Sequence, residues 1–121
     1  MSNREELKRQ YKETSPQMGV FAIRNRANGR IFLGASLNLP GMMNRTRFQL
    51  QRGAHQNAAL QHDWTTQGSD NFSFEVLDEL QPVADKSYDY HDDLDTLHSL
   101  WLDKLQPYGD AGYNTPPKPG R

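Results

Sequence analysis

The stretch Gly19-Val20-Phe21-Ala22-Ile23-Arg24-Asn25-Arg26-Ala27-Asn28-Gly29-Arg30-Ile31-Phe32-Leu33-Gly34 sets two short runs of branched and aromatic residues around an Asn-Gly pair. This predicts two antiparallel strands joined by a tight turn, because Asn and Gly accept the positive φ that such turns demand. Side chains alternate along a strand, so Phe21 and Ile23 share one face of the first and Phe32 lies on one face of the second. The two phenylalanine rings are expected to meet across the pair.

Working outward, residues 36–41 read as a loop, and Met43, Phe48 and Leu50 give an imperfect helical pattern over residues 42–52 that Gly53 ends. Asn57 reads as the N-cap of a second helix holding Leu60 and Trp64, with Gly68 as its stop. Phe72, Phe74 and Val76 alternate with other residues as a third strand would. After a connector at 81–89, Leu94, Leu97, Trp101 and Leu105 recur at helical intervals and predict a helix over 90–105, broken by Pro107-Tyr108-Gly109. Upstream, Leu7 and Tyr11 share a face of a short helix over 4–13 that Ser15-Pro16 ends. The organisation expected is a lead-in over 1–17, a domain over 18–114 and a flexible Pro-rich tail over 115–121. The fold class is α+β: a three-stranded, mostly antiparallel sheet, made by the N-terminal hairpin plus one strand, flanked by helices.

At 121 residues the chain is the size of one domain, and the absence of cysteine excludes a disulfide framework and thiolate metal sites. No run approaches the roughly 18 apolar residues of a membrane span. The N-terminus is charged where a signal peptide is apolar. A soluble cytoplasmic protein is expected. The net charge of −1 conceals an asymmetry: no acid stands between Glu13 and Asp63, an interval holding Arg24, Arg26, Arg30, Arg45, Arg47 and Arg52. From Asp63 to Asp110, 12 acids face only Lys86 and Lys104. Either two oppositely charged, solvated faces result, or the hairpin and the following helix present a basic surface to phosphates.

Gly19-Val20-Phe21, Phe32-Leu33-Gly34 and the following Ala35-Ser36 resemble the signature of the GIY-YIG nuclease superfamily. Gly53-Ala54-His55, Leu60-Gln61, Trp64, the strand from Phe72, Trp101 and Gly112-Tyr113-Asn114 continue the resemblance in order. It implies a site with a divalent metal, Mg²⁺ or Mn²⁺, held by a glutamate of the late helix. Tyrosine hydroxyls of the hairpin would help to activate water, and an arginine would neutralise the phosphate. Carried over by position, the catalytic residues are Phe21, Phe32 and His55, both phenylalanines replacing tyrosine. Met42 stands at the arginine position, Thr46 four residues beyond it, and His98 at the metal-binding glutamate. A phenyl ring cannot pass a proton as a phenol does. The resemblance thus implies nucleic acid as partner, DNA before RNA, with Arg24, Arg45, Arg47, Arg52 and Asn114 as contacts, no membrane, and an eroded catalytic site.

Two other functions stand beside this one: an active metal-dependent endonuclease with a variant site, and a protein-interaction module that binds no nucleic acid. His91, Asp95 and His98 share a helix side and form either a site for a softer metal or an ordinary wet face. His55 is either a site residue or a partner of the preceding helix's C-terminus. Phe21 and Phe32 also read as core, as do Trp64 and Trp101.

Overall fold

A computed structural model describes residues 16–116. The helix expected over 4–13 and residues 117–121 of the tail lie outside the described residues. The first hydrophobic run forms strand β1 (Met18–Asn25) and the second forms β2 (Ile31–Ser36); β3 (Phe72–Leu80) completes an antiparallel sheet in the order β2-β1-β3. β1 is central because both its faces are apolar. Val20 and Ala22 point one way, Phe21 and Ile23 the other, and all four are buried.

Register follows from that alternation: Ile23 lies opposite Phe32, Ala22 opposite Leu33 and Phe21 opposite Gly34. A bulge between Val20 and Phe21 shifts the pairing with β3, where Phe21 faces Val76 and Ile23 faces Phe74. Gly34 makes room for its neighbour, since a Cβ there would stand 2.5 Å from Phe21 Cε1. The hairpin connection is longer than the tight turn that Asn-Gly suggests. Residues 26–30 bridge the strands, Asn25 N–H donates to the Arg30 carbonyl at 2.8 Å, and Gly29 supplies φ of 79°. The reason is local: Asn25 Oδ1 accepts from Ala27 N–H, bending the chain before the Asn-Gly pair arrives.

Helix α1 (Leu39–Gln51) begins inside the segment that reads as loop. Pro40 lies in the first turn, where a missing N–H costs nothing, and Asn38 Oδ1 caps the helix by accepting from Gly41 N–H at 3.1 Å. Helix α2 (Ala58–Gln67) starts at Asn57, whose Oδ1 accepts from Leu60 N–H, and stops at Gly68, as expected. Helix α3 (His91–Leu105) ends at Gln106, in the left-handed region with φ of 44°, before buried Pro107.

The helices divide between the faces of the sheet. Phe21, Ile23 and partly buried Phe32 pack with Leu39 and Leu50 of α1, Leu60 and Trp64 of α2, Phe72 and Tyr113. Val20, Ala22 and Leu33 pack against Leu97, Trp101, Leu102 and Leu105 of α3. The chain after α3 then returns to the free edge of β2. Gly112 bridges Ile31 in parallel, and Tyr113 N–H donates to the Ile31 carbonyl at 2.9 Å. Among the described residues no helix is long and apolar enough to cross a membrane.

Candidate functional site

The structure brings Phe21, Phe32 and His55 together. The phenyl centroids lie 6.5 Å apart, and the His55 imidazole meets Phe32 edge-on at 5.7 Å. Phe21 is only 2% exposed, so the first of the two positions where water activation is expected is part of the core. The position expected to hold arginine carries Met42, packed against that core, and Thr46 is buried one turn further on.

His55 does not cap α1. Its Nδ1 accepts the Asn57 backbone N–H at 3.0 Å, while its own N–H donates to Gln61 Oε1, bracing the entry to α2. With Nδ1 occupied as an acceptor, the neutral ring carries its proton on Nε2 and presents a donor, not a base. Burial lowers the His55 pKa and favours this neutral form.

His98 of α3, which the resemblance puts where a metal-binding carboxylate is expected, is half-buried, and its Nε2 has no hydrogen-bond partner among the described residues. Burial lowers its pKa, while the Leu33 backbone and the Asp95 carboxylate act in the opposite sense. No hydrogen bond or ring contact among the described residues joins His98 to the Phe21–Phe32–His55 group. His91 turns to Asp89 at 2.6 Å rather than to Asp95 and His98. Among the described residues, no group of three His, Cys, Asp or Glu side chains converges on a place for a metal. A hard divalent cation such as Mg²⁺ takes a shell of oxygens. One imidazole nitrogen where a carboxylate is expected does not fit that requirement.

These two histidines give a pH dependence with a definite sign. In each, the folded-state pKa lies below the ordinary 6.5, so the unfolded chain binds protons more readily. Stability is therefore complete above pH 6.5 and falls as pH drops from 6.5 toward the folded values. His91, shifted upward by Asp89, works the other way, but it is fully exposed and its effect is screened. Thermal melts from pH 8 to pH 5.5 are expected to show Tm falling below about pH 6.5, with a shallower fall in His98→Leu. A Tm that rises on acidification would contradict the burial of both rings.

The expected nucleic-acid contacts occupy different settings. Arg45, Arg47 and Arg52 lie on the exposed side of α1 and its C-cap; the Arg47 guanidinium stacks 4.2 Å above the Phe74 ring, and that of Arg52 5.1 Å from the Phe48 ring. Arg24 instead pairs with Glu75 across β1 and β3 at 2.9 Å. Asn114 is a clamp on the sheet edge. Its Oδ1 accepts from Leu33 N–H at 2.8 Å and its Nδ2 donates to the Leu33 carbonyl at 2.9 Å, completing the edge of β2 next to Phe32. Trp64 packs on Phe72 and Phe74, and Trp101 Nε1 donates to Asp78, so both are structural.

A buried polar network went unseen in the sequence. Asp63 Oδ2 accepts the Tyr113 hydroxyl at 2.7 Å and Asn28 Nδ2 at 3.4 Å, with Arg30 Nη1 at 3.8 Å. Tyr113 in turn accepts from Asn25 Nδ2 at 3.0 Å, and that same amide donates to Gln67. Burial, followed by the Asp63 carboxylate, pushes the Tyr113 phenol above its ordinary pKa, against the Asn25 bond. The one available signal was Asp63 itself, the first acid after the acid-free interval.

Two solved structures share this architecture over most of the chain. One is described as the catalytic domain of the homing endonuclease I-TevI. It is 21% identical, covers 83% of this chain and 99% of its own, and superposes with a TM-score of 0.66. The other is a mutant of the catalytic domain of the intron endonuclease I-TevI, 22% identical, covering 81% and 92% respectively, also with a TM-score of 0.66. No family model and no curated protein matches the chain. The antiparallel β2-β1-β3 sheet, the helices on its two faces and the likeness to the I-TevI domain together show that this chain has the GIY-YIG nuclease fold.

Proposed function

We propose that this chain is a nucleic-acid-associated protein of the GIY-YIG type, cytoplasmic and directed to DNA before RNA, that has kept the nuclease fold and lost efficient cleavage. The observation that carries the reading is the apolar packing of the side chains that the resemblance puts at reaction positions. Phe21 and Phe32 sit ring against ring with Met42 in one apolar cluster. Phosphodiester hydrolysis needs an activated water and a positive group facing the charge that develops on phosphate oxygens. Neither phenyl nor thioether supplies these. His55 is presented as a donor, suited to hold a phosphate oxygen rather than to take a proton. The exposed arginines of α1, in a stretch free of acids, supply the phosphate-facing surface.

The test is binding as a function of salt. Labelled DNA and RNA, single-stranded and duplex, are titrated with the purified chain between about 50 and 200 mM salt, where phosphate contacts lose affinity steeply. Changing Arg45, Arg47 and Arg52 singly to glutamine is expected to reduce the log–log salt slope on duplex by about 0.9 for each arginine that neutralises a phosphate. Absent binding would overturn the reading and favour a protein-interaction module.

A further inference from the structure

Phe48 is 56% exposed on α1. The inward side of that helix is set by Leu39, Thr46 and Leu50, and Phe48 stands two residues from both Thr46 and Leu50, roughly opposite the core at about 100° per residue. Arg45, Phe48 and Arg52 follow one another at i, i+3 and i+7 and so form a single solvent-facing stripe. Within it the Arg52 guanidinium lies 5.1 Å from the Phe48 ring centroid.

The stripe leads to an open groove. A hollow of about 460 Å³ lies between the ends of α1 and α2, lined by Arg52, Gly53, Trp64, Thr65 and Ser69 among others. Its size suits a small planar group. Arg52 is the charged side chain of that lining, and Asp63, next to Trp64 in the chain, turns inward to Tyr113.

We propose that Phe48, bracketed by Arg45 and Arg52, is a stacking platform for an unpaired base of single-stranded nucleic acid. The two arginines contact the flanking phosphates. The proposal deepens, and rests on, the reading of the chain as nucleic-acid associated. The physical reason for single strands is that a duplex hides its base faces in its own stack, whereas an unpaired base offers a π-face to any ring within reach. An aromatic ring projecting from a cationic helix face adds a surface that a duplex cannot use. A guanidinium already lying against that ring places positive charge where the adjoining phosphate passes.

The experiment uses the full chain, a labelled oligothymidylate and a duplex of equal length, with wild type, Phe48→Ala, Phe48→Trp and Arg52→Gln compared by anisotropy at fixed salt. Removing the platform for one stacked base is expected to weaken single-strand binding about ten-fold in Phe48→Ala and to change duplex binding by less than about two-fold. Phe48→Trp is expected to retain binding, and its added fluorescence to be quenched by the oligonucleotide. Arg52→Gln is expected to weaken both ligands and to lower the salt dependence. Circular dichroism melts of each variant are the control for folding, and because Phe48 is exposed they are expected to match wild type.

Unchanged single-strand binding in Phe48→Ala, with salt-dependent binding preserved, would overturn the platform and leave the nucleic-acid reading standing. Equal losses on single strand and duplex would do the same. If Phe48→Ala abolished only self-association seen by light scattering, the stripe would be a protein contact and the platform wrong. Wild type that binds neither oligonucleotide would overturn the broader reading itself, and the platform with it.

Discussion

Phe21→Ala is expected to cost about 3–5 kcal/mol of folding stability, the range for emptying a large aromatic site in a close-packed core. Phe21 is 2% exposed on the central strand, its ring lies over the bare backbone of Gly34, and Phe32 packs beside it. A cavity there has backbone on one side and α1 and α2 on the other, so collapse to fill it is restricted. Urea denaturation would register the change as a lower midpoint at unchanged slope, with slopes of about 1–3 kcal/mol/M for a domain of this size. A loss below about 1 kcal/mol would mean that the ring borders a cleft open to substrate, contrary to the packing described.

The second large effect is expected at Asp63, far from the ring cluster in sequence and in role. Asp63→Ala removes the acceptor of the Tyr113 hydroxyl and one of the two carboxylates that stand 3.8 Å from the Arg30 guanidinium, the other being Asp110. Arg30 keeps Asp110 and the Tyr113 ring as neighbours, so the cost is that of leaving the buried hydroxyl and amide donors without their acceptor, about 1–3 kcal/mol. Asp63→Asn, which keeps an oxygen in place, is expected to cost less, and Tyr113→Phe about 1–2 kcal/mol. The network ties the hairpin loop, α2 and the chain following α3, so its loss also loosens the strip that Asn114 clamps onto β2. Hydrogen exchange should then show the amides of Leu33 and Tyr113 opening together. Near-wild-type stability in Asp63→Ala would contradict the network's structural role.

What could be read in advance depended on whether a feature is periodic or assembled from distant parts. The hairpin, the third strand, the Asn57 cap and the last helix stand out because local spacing alone defines them. The start of α1 was hidden because Pro40 and Gly41 read as breakers, although proline is accepted in a first turn capped by Asn38. The long hairpin connection was hidden because its cause is a side-chain bond made by Asn25. At the site, the meeting of Phe21 and Phe32 was legible from strand alternation. The clamp by Asn114 and the hydrogen bond that fixes the His55 tautomer were not, since each depends on where a side chain turns after the chain has folded. The Asn25–Asp63–Tyr113 network brings together residues 25, 63 and 113, which no window along the chain connects.

The chain has the GIY-YIG nuclease fold, and the proposal that it has lost efficient cleavage rests on the packing of Phe21, Phe32 and Met42 in one apolar cluster. Each missing oxyanion or water-activating group commonly costs a hydrolase about a hundred- to a thousand-fold in rate, so on the proposed reading the combined loss leaves no detectable cleavage. Incubation of the purified protein with supercoiled plasmid in Mg²⁺ or Mn²⁺ tests this most directly. Plasmid that stays supercoiled, as in a protein-free control, is the predicted result; robust nicking or linearisation that a His55→Ala variant loses would contradict it.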